Sequence, residues 1–173
     1  LTDKEEVGSE GTTGLQGDYT FHFLKALARA QGADYEEVLR RSVCVSADVN
    51  AALDPTFPDV HDPRNAARMN CGVCLTKYTG ARGKGATNDA SAETLSYVTN
   101  VFDEANVAWQ TGELGKVDQG GGGTIAKFVS NRNVDTVDIG VPMLSMHAPF
   151  ELVAKQDVLM TYRAFLAFAT ARQ

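Results

Sequence analysis

Near the start of the chain two carboxylates stand side by side in Asp3-Lys4-Glu5-Glu6-Val7-Gly8-Ser9, and far downstream a histidine closes Leu144-Ser145-Met146-His147. An adjacent acid pair and a distant imidazole can divide the work of one metal centre: one carboxylate takes a proton from water while the other and the imidazole hold zinc. Between them Asp48 ends the apolar run Ser42-Val43-Cys44-Val45-Ser46-Ala47, a placement that suits a ligand. Each residue is weak evidence alone. Adjacent Glu residues beside Asp and Lys are most often a solvated turn, a lone Asp at a strand end is commonly a helix cap or loop former, and a lone histidine is more often structural.

The elements that must position these groups alternate along the chain. The first residues, Leu1 to Glu6, read as a strand that runs into a loop with Gly8, Gly11, Gly14 and Gly17. Asp18 is placed as an N-cap, followed by Phe21, Leu24, Leu27 and Ala28 at helical spacing and a stop at Gly32. A short helix over Tyr35 to Arg41 precedes a buried strand over Ser42 to Asp48. The prolines Pro55, Pro58 and Pro63 predict an irregular loop from Leu53 to Asn70. A strand over Val73 to Tyr78 leads to the glycine-rich Gly80 to Gly85. Leu95, Val98, Phe102, Ala105 and Trp109 share one face of a pattern that predicts a long helix from Ser91 to Gln110, packed on a sheet. The glycine run Gly120 to Gly123 leads into a helix from about Thr124 to Asn131, then a strand over Val134 to Ile139, a turn at Gly140-Val141-Pro142, and a terminal helix from about Lys155 to Ala171. Strands alternating with helices predict an α/β layered sheet.

The chain of 173 residues, 43% hydrophobic and 22% charged, has the composition of an ordinary globular domain. A net charge of −6 offers no basic stripe for a nucleic-acid backbone or an anionic membrane surface. No apolar run approaches the roughly 20 residues of a bilayer span. Three cysteines, an odd number, do not suit a secreted disulfide framework, so a cytoplasmic location is expected. Because the chain starts on Leu1, with the acid pair almost at its start, we expect part of a longer polypeptide.

Four stretches then carry a specific resemblance: Asp3 to Ser9, Ser46-Ala47-Asp48-Val49-Asn50-Ala51, Gly122-Gly123-Thr124-Ile125, and Asp138-Ile139-Gly140-Val141-Pro142 with Leu144-Ser145-Met146-His147. In order and spacing they resemble four successive motifs of metallopeptidase family 18, the aspartyl-aminopeptidase family. The resemblance implies a three-layer α/β/α catalytic domain with a mixed sheet, of which residues 1–173 are the C-terminal part. The N-terminal metal-binding segment, with an early histidine and a metal-bridging aspartate, and the dimerisation domain inserted there would lie outside this chain. It further implies a zinc-dependent aminopeptidase with two zinc ions, replaceable by cobalt or manganese, acting on peptide substrates and assembled as a homo-oligomer, a tetrahedral dodecamer. By motif position Glu5 is the general base, Glu6 and His147 ligands of one zinc, and Asp48 a ligand of the other. Such a centre lowers the pKa of a shared water and polarises the scissile carbonyl, while the nearby carboxylate moves the proton to the leaving amine. The alternative is a non-catalytic assembly or interaction subunit that keeps the fold but not a complete metal site.

Other features take lesser roles. Gly122 and Gly123 are expected to contact the substrate backbone, and Lys77 to face its side chain, with Arg82 and Lys84 as competing cations. Ala148-Pro149-Phe150-Glu151 replaces the Ser and basic residue expected after His147, which leaves the preferred N-terminal residue, acidic or neutral, open. Cys71-Gly72-Val73-Cys74 has the spacing of a zinc or redox pair, but there is no second pair, and residues three apart in a strand point to opposite faces. His22 and His61 receive no ligand role.

Overall fold

A computed structural model describes residues 9–82, 85–116 and 118–171. The strand expected over Leu1 to Glu6 lies outside the described residues. So do Glu5 and Glu6.

The fold begins with two helices, α1 (Tyr19–Ala30) and α2 (Tyr35–Arg40). Asp34 caps α2 by accepting the Glu37 N–H at 2.9 Å. Asp18 precedes α1 but makes no side-chain cap. It pairs instead with Arg132, whose guanidinium also lies over the Phe21 ring at 4.6 Å. The ion pair with a residue far along the chain outcompetes the local cap. Within α1, Phe21 and Ala28 are buried, whereas Leu27 is exposed.

The central sheet has the order β1 (Val43–Ala47), β7 (Asp135–Gly140), β3 (Val73–Thr76), β6 (Trp109–Thr111). It is mixed: β1 runs parallel to β7, β7 antiparallel to β3, and β3 parallel to β6. Helices α3 (Ala92–Glu104) and α5 (Lys155–Thr170) cover one face. There Val73, Leu75, Val137 and Ile139 meet Val98, Phe102, Met160 and Ala164 in a single buried core. The opposite face is covered by α4 (Ala126–Ser130) and by a hairpin of β4 (Tyr78–Ala81) and β5 (Gly85–Asp89). Two helices, a sheet, then a helix with a hairpin make the expected layered α/β arrangement. A smaller sheet, β2 (Asn50–Ala51), β8 (Pro142–Leu144) and β9 (Leu152–Val153), extends from the ends of β1 and β7.

Three expectations change. The long helix ends at Glu104 rather than Gln110. Asn106 takes φ +53°, the Val107 N–H bonds the Phe102 carbonyl at 2.9 Å and the Asn106 N–H bonds Asp103 at 3.1 Å. This left-handed cap stops the helix and returns Trp109 as the first residue of strand β6. The glycine-rich stretch after β3 is not a plain loop, because Tyr78 pairs with Asp89 and Thr79 with Asn88 across the hairpin. The turn at Gly140-Val141-Pro142 is also a continuation of extended chain, since Asn50 and Ala52 donate to the carbonyls of Val141 and Met143 at 3.0 and 2.8 Å. The loop from Leu53 to Asn70 holds one 3₁₀ turn, Pro58–Val60, and an isolated bridge between Ala52 and Ala67. Among the described residues no helix is long and apolar enough to cross a membrane.

Candidate functional site

Side chains alternate across a strand, so the face of the sheet opposite the apolar core is set by the same registers. Along that face Ser46 lies opposite Asp138, and Asp138 opposite Thr76. All three are buried, together with Asn50, Asn88 and Thr124. Buried polar groups must find partners, and these largely find each other. Thr124 Oγ1 donates to Asp138 Oδ2 at 3.0 Å, Asn50 Nδ2 to Thr76 Oγ1 at 2.6 Å, and Asn88 Nδ2 to the Thr136 carbonyl at 3.0 Å. Cys44 shares this face, and burial followed by the Asp138 charge pushes its thiol up to about 11.

Asp48 follows the end of β1 on this polar layer. Its backbone N–H donates to Ile139 at 3.2 Å, and its carbonyl passes so close to Gly140 that a Cβ there would stand 1.7 Å from the Asp48 oxygen. Gly140 is therefore required by the path of the Asp48 backbone. The strand that follows, β8, leads to His147. That residue is exposed, adopts φ +65°, and its N–H donates to Glu151 Oε1 at 2.9 Å. Asp48 thus leaves the C-terminal end of β1, and His147 comes three residues after β8, the strand that continues β7, the parallel neighbour of β1, on the side where α/β sheets place ligands. Among the described residues no three His, Cys, Asp or Glu side chains group closely enough to hold a metal ion. A carboxylate and an imidazole suit zinc by donor type, and a full set would draw on donors beyond these, with Glu5 and Glu6 outside the described residues.

The glycine run packs along the hairpin. Gly80 donates to the Gly122 carbonyl and Arg82 to that of Gly120, each at 2.9 Å. Gly123 approaches Ala86 so closely that a Cβ would meet its carbonyl oxygen at 2.6 Å. Lys77, at the mouth of the hairpin, is ion-paired with Asp89. Glu113, two residues beyond β6, has its carboxyl pushed up to about 7, chiefly by burial, against the attraction of Lys77 and with the repulsion of Asp89. Cys71 is exposed whereas Cys74 is buried, with its thiol raised to about 12 by burial, so the pair shares no common surface. His22 is exposed on α1, and His61 is buried, its pKa lowered by desolvation.

Sequence reasoning singled out Asp48 and His147 but gave no role to Asp138, Asn50 or Glu113. The signal for Asp138 was present, since a carboxylate stands between the apolar Val137 and Ile139 within a strand. Glu113 carried no such signal.

The model of a known family, described as aminopeptidase I zinc metalloprotease (M18), matches residues 1–169. The chain belongs to the M18 family. It is 48% identical over 168 residues to a probable M18 family aminopeptidase 1 of Thermotoga maritima, a match covering 94% of this chain and 37% of that protein. A crystal structure of an M18-family aminopeptidase from the same species superimposes with a TM-score of 0.88 at 47% identity, over 96% of this chain and 38% of the other. Aminopeptidase I from Clostridium acetobutylicum gives the same TM-score at 41% identity, over 98% and 37%. The chain thus spans less than two-fifths of the length of these M18 relatives. The expected α/β class, with its mixed sheet, is that of the family.

Proposed function

We propose that this chain is the C-terminal part of the catalytic domain of a cytoplasmic zinc aminopeptidase that removes N-terminal amino acids from peptides. In this reading an N-terminal segment with further metal ligands and a dimerisation domain belong to the same enzyme, which assembles as a homo-oligomer, by family resemblance a tetrahedral dodecamer. The observation that carries the reading is the placement of Asp48 at the end of β1 and of His147 after β8, which continues the parallel neighbour β7, in a chain matched by the M18 family over residues 1–169.

Glu6 and His147 would hold one zinc and Asp48 the other, with cobalt or manganese as substitutes. When bound, two such ions supply an acidified water and an electrophile for the peptide carbonyl. Glu5 accepts the proton of the attacking water and returns it to the leaving amine. Asp48 is held for its role from behind: Gly140 lets its backbone lie against β7, and the Asn50 to Thr76 bond ties the following residues to β3. The fixed backbone at His147 limits the directions its ring can take. The carbonyls and N–H groups of Gly122 and Gly123 would line the substrate backbone beside the hairpin, with Lys77 facing the side chain.

Glu5→Gln in the full-length enzyme keeps the shape of the side chain and removes its basicity. The expected result is a fall in kcat of at least about 10²-fold, with zinc content by metal analysis unchanged. Near-full turnover at unchanged zinc content would remove Glu5 from the mechanism.

A further inference from the structure

We propose that Glu151 is a positioning residue for His147, its carboxylate fixing the strained backbone turn that carries the imidazole toward zinc. The proposal rests on the reading above, in which His147 is a zinc ligand, and adds a residue to which that reading gives no role.

Residues 145–151 join β8 to β9 and carry His147. Antiparallel pairing of Met143 with Val153 and of Leu144 with Leu152 closes the base of this loop. Parallel pairing of Asn50 with Pro142 and of Ala51 with Met143 holds β8 beside the residues that follow Asp48. Within the loop Ser145 and His147 both take left-handed backbone conformations, φ +59° and +65°. Residues other than glycine adopt this region at a cost, and such strain persists only where the surroundings impose it. Packing imposes little here, because Ser145, His147, Ala148, Pro149 and Phe150 are all exposed. The Ala148 N–H closes a turn on the Ser145 carbonyl at 3.0 Å, which leaves the His147 N–H to another acceptor. Glu151 supplies it, its Oε1 accepting the His147 N–H at 2.9 Å. The acceptor is itself anchored, since Glu151 directly precedes Leu152, the first residue of β9.

A carboxylate accepting a backbone N–H makes a stronger bond than a neutral pair does. Once that bond is lost, an exposed loop with two left-handed residues relaxes toward ordinary backbone conformations. Zinc then finds the ligand in place only part of the time, and its apparent affinity falls by that fraction. Residues that orient a metal ligand are typically worth roughly 10–100-fold in metal affinity, and a single bond in an exposed loop belongs at the lower end. The role needs an acceptor oxygen at this position. A side-chain amide provides one as well as a carboxylate does.

The test is the zinc affinity of the full-length enzyme, measured by competition with a chelating dye, with thermal unfolding as the check on folding. His147→Ala is the reference for complete loss of the ligand. Glu151→Ala removes the acceptor, and Glu151→Met removes it while keeping the length of the side chain. Both should weaken the more loosely held zinc about 10-fold, less than His147→Ala does. Glu151→Gln, whose amide oxygen accepts the same N–H, should stay within about twofold of wild type. Wild-type affinity in folded Glu151→Ala and Glu151→Met, where His147→Ala loses zinc, overturns the proposal and leaves the aminopeptidase reading in place. A loss in Glu151→Gln as large as in Glu151→Ala also overturns it, because the carboxylate would then act by its charge or as a ligand. Unchanged zinc affinity in His147→Ala removes His147 from the metal site, and the proposal with it.

Discussion

The two faces of the central sheet are built from the same strands by alternation, yet they differ in kind. Toward α3 and α5, β7 presents Val137 and Ile139 to Phe102, Val98 and Met160 in an apolar cluster. Toward α4 and the hairpin, the intervening Thr136 and Asp138 meet Asn88 and Thr124 in hydrogen bonds, all of them buried. Burial of apolar area stabilises without directional demand, so the first face tolerates adjustment as long as volume is kept. A buried polar layer is high-stakes, because each member is costly when its partner is lost, and the same bonds fix geometry. The comparison teaches that one face holds the fold together while the other holds Asp48 and the glycine run in place.

The largest expected effect lies on the apolar face. Phe102 is fully buried, and Phe102→Ala should cost about 3–5 kcal/mol of stability through lost contacts and the cavity left behind. Measured by denaturant unfolding beside active-enzyme titration, the surviving folded enzyme should keep its kcat. A matching fall in kcat per folded molecule would break the distinction between the faces.

Gly140→Ala tests the other face. The added Cβ would stand 1.7 Å from the Asp48 carbonyl oxygen, so the Asp48 backbone must move. A displacement near 1 Å at a ligand predicts roughly 10²-fold lower kcat, with weaker zinc retention on dialysis and a smaller loss of stability than Phe102→Ala. Thr124→Val follows at about 1–3 kcal/mol, because the methyl cannot donate to the buried Asp138 carboxylate. Thermal unfolding should show this loss, and an unchanged midpoint would mean that the polar layer does not depend on that bond.

The smallest effect sharpens the picture through pH. Glu113 releases its proton near 4.5 when unfolded and near 7 when folded, so the folded state holds the extra proton in between. Stability contributed by that proton is present at low pH and is lost as pH rises from 4.5 to 7. Relative to wild type, Glu113→Gln should therefore be unchanged near pH 4 and more stable above pH 7. The gain, discounted for the partial exposure of the carboxyl, is about 1–2 kcal/mol. A constant difference across this range would show that Glu113 titrates as an ordinary surface acid.

Much of the layered order could be read from periodicity. The strand over Val43 to Ala47, the short helix after Asp34 and the terminal helix from Lys155 follow their hydrophobic patterns to within a residue or two. The misreadings have local physical causes. Trp109 continues the apolar spacing of α3, but a left-handed Asn106 and the Val107 to Phe102 bond end the helix first. The glycine-rich stretch looks like a loop because its pairing partner, Asn88, offers few apolar cues of strand, and the hairpin is held by backbone pairing and by the adjoining glycine run.

By itself the sequence determined which residue types are available for chemistry. Asp48 falls at a strand end and His147 beyond another, in motifs resembling those of one peptidase family, because hydrophobic periodicity and short-range turn chemistry are local properties of the chain. Only the tertiary structure decided what surrounds them. The antiparallel register of β7 against β3 sets Asp138 opposite Thr76, the path of Asp48 makes a glycine of residue 140 necessary, and the parallel pairing of β3 with β6 brings Glu113 to Lys77 and Asp89. These are relations between residues far apart in the chain, fixed by strand pairing and by burial, and no local pattern of residue types encodes them.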